Sequence, residues 1–241
     1  AFNAAGVQQG DRVGLWAPNS AEWIVIALGI QSVGAALVPI NTRYKPGEAA
    51  YPLQKTKAKM LFTADGFMGI EGEAVVAKIR QEGGPNIRTV NINGDESKKD
   101  SLSSFLSSAE SSDDDYRAHN FKDISASTLC DIMFTSGSTG KPKGVRHLHG
   151  PTVRQTFNTI EENNLTDTDR MLVINPFFHV FGYTGGWVPA LFSGATVYPL
   201  PVFDVDQVLE LIQDQGITYF PGPPTIFHSL LEHPRLSEYD M

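Results

Sequence analysis

The sequence predicts an α/β fold, with largely parallel sheets flanked by helices. Three observations carry that expectation. Short apolar runs rich in Val, Ile, Leu and Phe recur along the chain, helical stretches separate them, and Gly or Pro marks the joins. A composition of 41% hydrophobic and 10% aromatic residues over 241 positions excludes a chain disordered throughout.

Taken in order, residues 12–17 form the first expected strand. From Trp23 to Ile40 the chain is apolar except at Gln31 and Ser32, nearly the length of a short membrane-spanning helix. Gly29, Gly34 and Pro39 interrupt it, so it divides into a buried helix over 21–33 and a buried strand over 35–40. No transmembrane segment is expected. Asn19 with Glu22 three residues later reads as a capping box for that helix. Pro46 and Glu48 open a second helix running to about Lys57, residues 60–63 form a strand, and residues 72–82 form a helix that stops at Gly83 and Gly84. A strand over 89–92 follows.

Residues 95–123 break the alternation. They carry eight acids against four bases, and eight serines lie between Ser97 and Ser112. This composition reads as a solvated connection with a short helix near 102–106. Three segments are therefore expected: a first α/β portion over 1–94, a connection over 95–125 and a second α/β portion over 126–241. In the last, strands are expected over 129–135, 144–146, 170–175, 195–200 and 217–220. Helices are expected over 151–163, around 186–192 and over 205–213, with Asp204 as the cap of the last.

Charge and cysteine content narrow the function classes. With 19 basic and 27 acidic residues the net charge is −8, which argues against a nucleic-acid-binding surface over the whole chain. The single cysteine, Cys130, excludes an intrachain disulfide framework and a zinc site of several thiolates, and a reducing, cytoplasmic setting is the expectation. Cys130 in an apolar strand reads as a packed side chain. His147 and His149 alternate along a strand and face one side, but no third ligand accompanies them, so no metal site is expected.

The segment 135–144, TSGSTGKPKG, is chemically distinct. Four hydroxyls, three glycines and two lysines follow directly on a buried strand. Glycines let successive backbone N–H groups turn toward an anion, hydroxyls add donors, and lysine adds a mobile positive charge. No Asp or Glu occurs from Ile132 to Ile160, whereas Lys141, Lys143, Arg146 and Arg154 all do, giving a local excess of +4. A small-residue surface hairpin would share the composition alone. The P-loop pattern does not fit, because two residues rather than four separate Gly137 from Gly140 and Pro142 follows Lys141. Pro142 pushes Lys141 toward an extended conformation, as in a loop returning to a strand.

The run FTSGSTGKPKGV at 134–145 resembles the AMP-binding signature of the acyl-adenylate-forming enzymes, a superfamily of acyl-CoA synthetases, amino-acid adenylation domains and luciferases. Three further segments are similar to that family in the same order: QSVGAALVPIN at 31–41, PFFHVFG at 176–182 as in the acyl-CoA synthetase branch, and FPGPPT at 220–225. The resemblance implies two α/β subdomains of the N-terminal domain of such an enzyme. It also implies activation of a carboxylic acid with ATP and Mg²⁺ to an acyl-adenylate, then transfer to coenzyme A. Thr135, Ser136, Gly137, Ser138, Thr139 and Gly140, with Lys143, would grip the β- and γ-phosphates, while Lys141 stands at a variable position.

His179 would lie beside the acyl carbonyl as the catalytic residue, with Phe181, Gly182 and Trp187 forming the acyl site. Read without the resemblance, a histidine among Phe177, Phe178 and Phe181 suits a packed interior equally. Gly182, Gly185 and Gly186 permit close backbone approach to a ligand, and the absence of acids from Ile174 to Leu200 favours a fatty or other plain acid over an amino acid. An acyl-AMP ligase serving a carrier protein, and a non-catalytic nucleotide- or acyl-binding module, are the competing classes. The family's later motifs for adenine, ribose and the C-terminal catalytic lysine are not found, so a truncated piece inactive by itself, pairing as a homodimer through uncovered apolar surface, is expected.

Overall fold

The computed structural model describes residues 1–108, 123–135 and 140–240. The chain divides into two compact units: unit 1 comprises Ala1–Pro18 and Glu22–Thr152, and unit 2 comprises Asn19–Ala21 and Val153–Met241.

Unit 1 is built on a six-stranded sheet in the order β4-β3-β1-β2-β5-β6. Its strands are β1 (Arg12–Trp16), β2 (Ala36–Pro39), β3 (Met60–Thr63), β4 (Arg88–Asn91), β5 (Leu129–Thr135) and β6 (Lys143–Leu148). All neighbours pair in parallel except β5 and β6, which are antiparallel. The helices α1 (Ala21–Ser32), α2 (Pro46–Thr56) and α3 (Gly72–Gln81) cross between parallel strands. α2 shows why the sequence is helical here: Pro46 takes the first turn, Glu48 accepts from the Lys45 N–H at 2.8 Å, and Lys57 ends the helix in the left-handed region at φ 53°. Leu53, Val75, Val76 and Ile79 of α2 and α3 bury against Trp16, Val38 and Leu61 of the sheet.

The serine-rich stretch is only partly a connection. Residues up to Ser108 fold onto unit 1: Ser101 bridges Asn91, its hydroxyl caps α4 (Leu102–Ser107), and Phe105 packs on Phe2 and Phe62 at 5.1 Å. The two-unit division falls at Thr152 rather than within 95–125, because β5 pairs with β2 and so joins the first sheet. A composition shift marks solvent exposure, not which strands share a sheet. The acidic run at 113–115 lies outside the described residues.

Helix α5 (His149–Asn163) carries the chain into unit 2, where β7 (Arg170–Val173) and β8 (Thr196–Pro199) pair in parallel. Helices α6 (Val188–Ser193), α7 (Val205–Gln215) and α8 (Pro224–Leu231) complete it. Leu172, Ile174, Leu200, Val208, Leu209 and Leu230 form its core. Asp204 caps α7 as expected, accepting from the Gln207 N–H at 2.9 Å. The strand expected over 217–220 reduces to one bridge between Met171 and Tyr219. Among the described residues no helix is long and apolar enough to cross a membrane.

Candidate functional site: a basic hairpin and a glycine-rich elbow

In unit 1 the hydroxyl- and glycine-rich segment joins the two antiparallel strands. The register places Thr135 opposite Lys143, Phe134 opposite Gly144 and Met133 opposite Val145. Alternation along both strands puts Thr135, Lys143, Asp131 and His147 on one face of the ladder and Ile132 and Phe134 on the other. Ile132 and Phe134 pack against the core formed with α2 and α3. The strand ends are thereby fixed from beneath while Thr135, Gly140, Lys141 and Lys143 are exposed. Ser136, Gly137, Ser138 and Thr139 lie outside the described residues. Gly140 has φ +98°, where a side chain would strain the backbone.

Lys141 is anchored: its Nζ lies 5.9 Å from the centre of the Tyr51 ring on α2, and that ring meets Phe134 edge-on at 6.1 Å. Tyr51 escaped the sequence reading, and no local signal marks it.

Behind the hairpin's mouth, the structure joins two residues that the sequence left apart. Asp131 is fully buried between Leu37 of β2 and His147 of β6, and its Oδ1 lies 2.5 Å from His147 Nδ1. That hydrogen bond, then the carboxylate charge, raises the His147 pKa above its ordinary value despite partial burial. His149 behaves oppositely: burial lowers its pKa, with Asp131 pulling weakly the other way. Among the described residues no group of three or more His, Cys, Asp and Glu side chains could hold a metal ion.

In unit 2 the segment after β7 forms a tight elbow. Buried Asn19 organises it. Its Nδ2 donates to the carbonyls of Asn175 at 3.0 Å, Leu200 at 3.2 Å and Val173 at 3.3 Å, and its Oδ1 accepts from the Phe177 N–H at 2.8 Å. The expected capping role of Asn19 is therefore corrected: its amide is committed to the elbow rather than to the start of α1. Asn175 Nδ2 in turn donates to the Pro221 carbonyl at 2.7 Å, tying the elbow to the FPGPPT segment.

His179 caps the helical turn Val180–Gly182, its Nδ1 accepting from the Phe181 N–H at 3.2 Å. Both His179 and Phe181 are exposed, so the packed-interior alternative for this histidine does not hold. Gly182 is buried, and an added Cβ would come within 2.3 Å of the carbonyl oxygens of Asn175 and Pro176, so the close approach of the chain's own backbone requires glycine here. Trp187 is likewise interior, 1% exposed, with Tyr183 edge-on at 5.0 Å and Phe177 at 6.2 Å. The structure thus brings His179 and Phe181 to the surface of the elbow and places Gly182 and Trp187 beneath it.

The whole chain is similar to known CoA ligases. It is 40% identical over 248 residues to the 3-[(3aS,4S,7aS)-7a-methyl-1,5-dioxo-octahydro-1H-inden-4-yl]propanoyl:CoA ligase of Rhodococcus jostii (strain RHA1), covering 100% of this chain and 48% of that protein. The enzyme of the same name from Mycobacterium tuberculosis (strain ATCC 25618 / H37Rv) is 36% identical over 241 residues, again across the whole chain and 47% of the relative. The chain thus spans about half the length of these curated relatives. Among solved structures, the anthranilate CoA ligase AuaEII in complex with anthranoyl-AMP superposes with a TM-score of 0.82 at 27% identity, over 99% of this chain and 45% of that one. A family model described as AMP-binding enzyme matches residues 1–241. The chain belongs to the AMP-binding enzyme family.

Proposed function

We propose that this chain supplies the triphosphate-gripping and acyl-facing portion of a ligase that activates a carboxylic acid with ATP and passes the acyl group to coenzyme A. The observation that carries the reading is the register of β5 and β6, which sets Thr135 opposite Lys143 at the two ends of a basic, hydroxyl- and glycine-rich segment. In the proposed first step a carboxylate oxygen attacks the α-phosphorus and pyrophosphate leaves. In the second, a thiol sulfur attacks the acyl carbon and AMP leaves. The charge of the triphosphate repels the incoming carboxylate, and Thr135, Ser136, Gly137, Ser138, Thr139, Gly140 and Lys143 reduce that repulsion and stabilise the leaving pyrophosphate. Mg²⁺ would supply further neutralisation.

His179 and Phe181 would face the acyl group from the elbow, with His179 beside the reacting carbonyl, while Gly182 and Trp187 hold the elbow's shape. Two relatives named for one bicyclic propanoate ligase, together with the exposed Val180 and Phe181, support a carboxylate carrying a bulky, uncharged alicyclic body over a linear fatty acid. Calorimetric titration of the 241-residue chain with ATP tests the phosphate grip. Lys143→Ala is expected to weaken binding about tenfold, the lower end of a hydrogen bond to a charged partner. Absence of binding to both ATP and pyrophosphate at millimolar concentration would remove the reading. Acid-dependent pyrophosphate exchange by the same chain is expected to be undetectable.

A further inference from the structure

Asp131, His147 and His149 sit at the base of the hairpin, and no step proposed above uses them. Asp131 is 0% exposed, and its Oδ2 has no hydrogen-bond partner among the described residues. His149 Nε2 is buried and equally unpartnered. A carboxylate so desolvated is tolerable when a positive charge adjoins it and costly when that charge is lost. His147, a cation when protonated, is the group in contact with it. Among the described residues the neighbouring elements offer no substitute: β2 carries no ionisable side chain, and α1 has only Glu22 in its first turn and the neutral Gln31, bonded to Cys130. On β6, Lys143 and Arg146 are exposed; α2 and α3 belong to the core that meets β5 through Ile132 and Phe134, on the ladder's other face. The backbone is irregular at the same place, with a register shift between Leu129 and Asp131.

We propose that Asp131 and His147 position the phosphate hairpin, holding β5 and β6 in register when His147 carries a proton and His149 does not. His149 begins α5, where the positive end of the helix dipole opposes a second proton. The hairpin is therefore firmest in a window. Acidification from the ordinary histidine value, about pH 6.5, toward the lowered folded value of His149 brings a proton to that site at a cost. Alkalinisation through the raised His147 value leaves the Asp131 charge uncompensated. The device rests on the phosphate-site reading only for its consequence, the grip on nucleotide.

The test measures amide-exchange protection of residues 131–135 and 143–148 from pH 5 to 9, alongside ATP affinity, in the 241-residue chain. The unsubstituted chain is expected to show protection that declines on both sides of a maximum, by roughly tenfold on the alkaline side. His147→Gln keeps a donor for Asp131 but no charge. It is expected to lose the alkaline decline and retain the acid one, with protection at pH 6 as low as that of the unsubstituted chain at pH 9. Asp131→Asn is expected to flatten the alkaline side likewise, and if it fails to fold His147→Gln decides. An alkaline decline of equal size in His147→Gln, or flat protection in the unsubstituted chain, overturns the proposal even where ATP binds. The expected protection profiles without any ATP binding uphold the positioning role and remove the phosphate-site reading instead.

Discussion

The hairpin of unit 1 and the elbow of unit 2 are held in place by different chemistry. Beneath the hairpin is a buried charge with a titratable partner, Asp131 with His147. Beneath the elbow is a neutral amide, Asn19, making four hydrogen bonds to backbone groups, and an aromatic stack of Phe177, Tyr183 and Trp187. The surfaces they present differ in the same sense, lysines and a hydroxyl on one, Val180 and Phe181 on the other. The proposed site for a polyanion and the proposed site for an apolar body each rest on a support of matching character. The electrostatic support answers to proton concentration, and the neutral one does not.

The sharpest way to break this comparison is at Asn19. Asn19→Leu removes the acceptor for the Phe177 N–H and the donor to the carbonyls of Asn175, Leu200 and Val173, of which the last still accepts from the Leu200 N–H, and each loss that water cannot replace costs about 1–3 kcal/mol. A total destabilisation of unit 2 on the order of 3–5 kcal/mol is expected. Hydrogen exchange read separately for the two units measures it. Equal loosening of the hairpin would show that the two supports are not separate. Next in size is Gly182→Ala. With carbonyl oxygens 2.3 Å from the new methyl group, backbone must shift, and a cost of about 2–3 kcal/mol is expected from overpacking. Unchanged melting of unit 2 in that variant would mean that the elbow is looser than its packing implies.

How these features relate to the sequence follows the range of the interactions that make them. Strand and helix positions were legible because apolar period, Pro46, Glu48 and Asp204 act within a few residues. The basic hairpin was legible for the same reason: Pro142 and the surrounding glycines define a return to a strand locally. Asn19 was misread because a residue followed three positions later by Glu22 fits a cap, while its partners lie over 150 positions away. The backbone that crowds Gly182 is not legible, because sequence cannot say which carbonyls approach a glycine. Asp131 and His147 stayed unpaired on paper because a cross-strand pair requires the register, and the shift at Leu129 hides it.

A third, smaller contrast is in pH response. The raised His147 pKa means that its contribution is fully present below the unfolded value near 6.5 and fades as pH rises through the folded value. The lowered His149 pKa has the opposite sign: its contribution is present above about 6.5 and is lost as pH falls toward the folded value. Exchange protection of the hairpin should therefore peak between, while that of residues 175–187 should show no alkaline loss from this source. The effect should be smaller than that of either substitution above, since the His147 side chain is 32% exposed and water screens part of the pairing. Parallel profiles in both regions would end the distinction between a charged and a neutral support.

The smallest expected effect concerns Tyr51, which separates the hairpin's support from its grip. Lys141 has two possible partners for its charge, the Tyr51 ring and a bound phosphate. The observed contact with the ring, itself braced by Phe134, places Nζ against α2. A cation–π contact at an exposed site is worth about 0.5–1 kcal/mol. Tyr51→Leu keeps most of the apolar area and removes the ring's negative face, so stability should fall by no more than about that amount. Its effect on ATP binding discriminates the two roles. If Lys141 serves to steady the return arm into β6, freeing it should weaken ATP binding up to about fivefold. If instead the ring diverts Lys141 from the phosphates, the same substitution should tighten binding by a similar factor, and the ring would act as a brake on the grip. The steadying role is expected, because Pro142 already restrains the backbone at Lys141 and the ring restrains its side chain, so both act in the direction of a preformed turn.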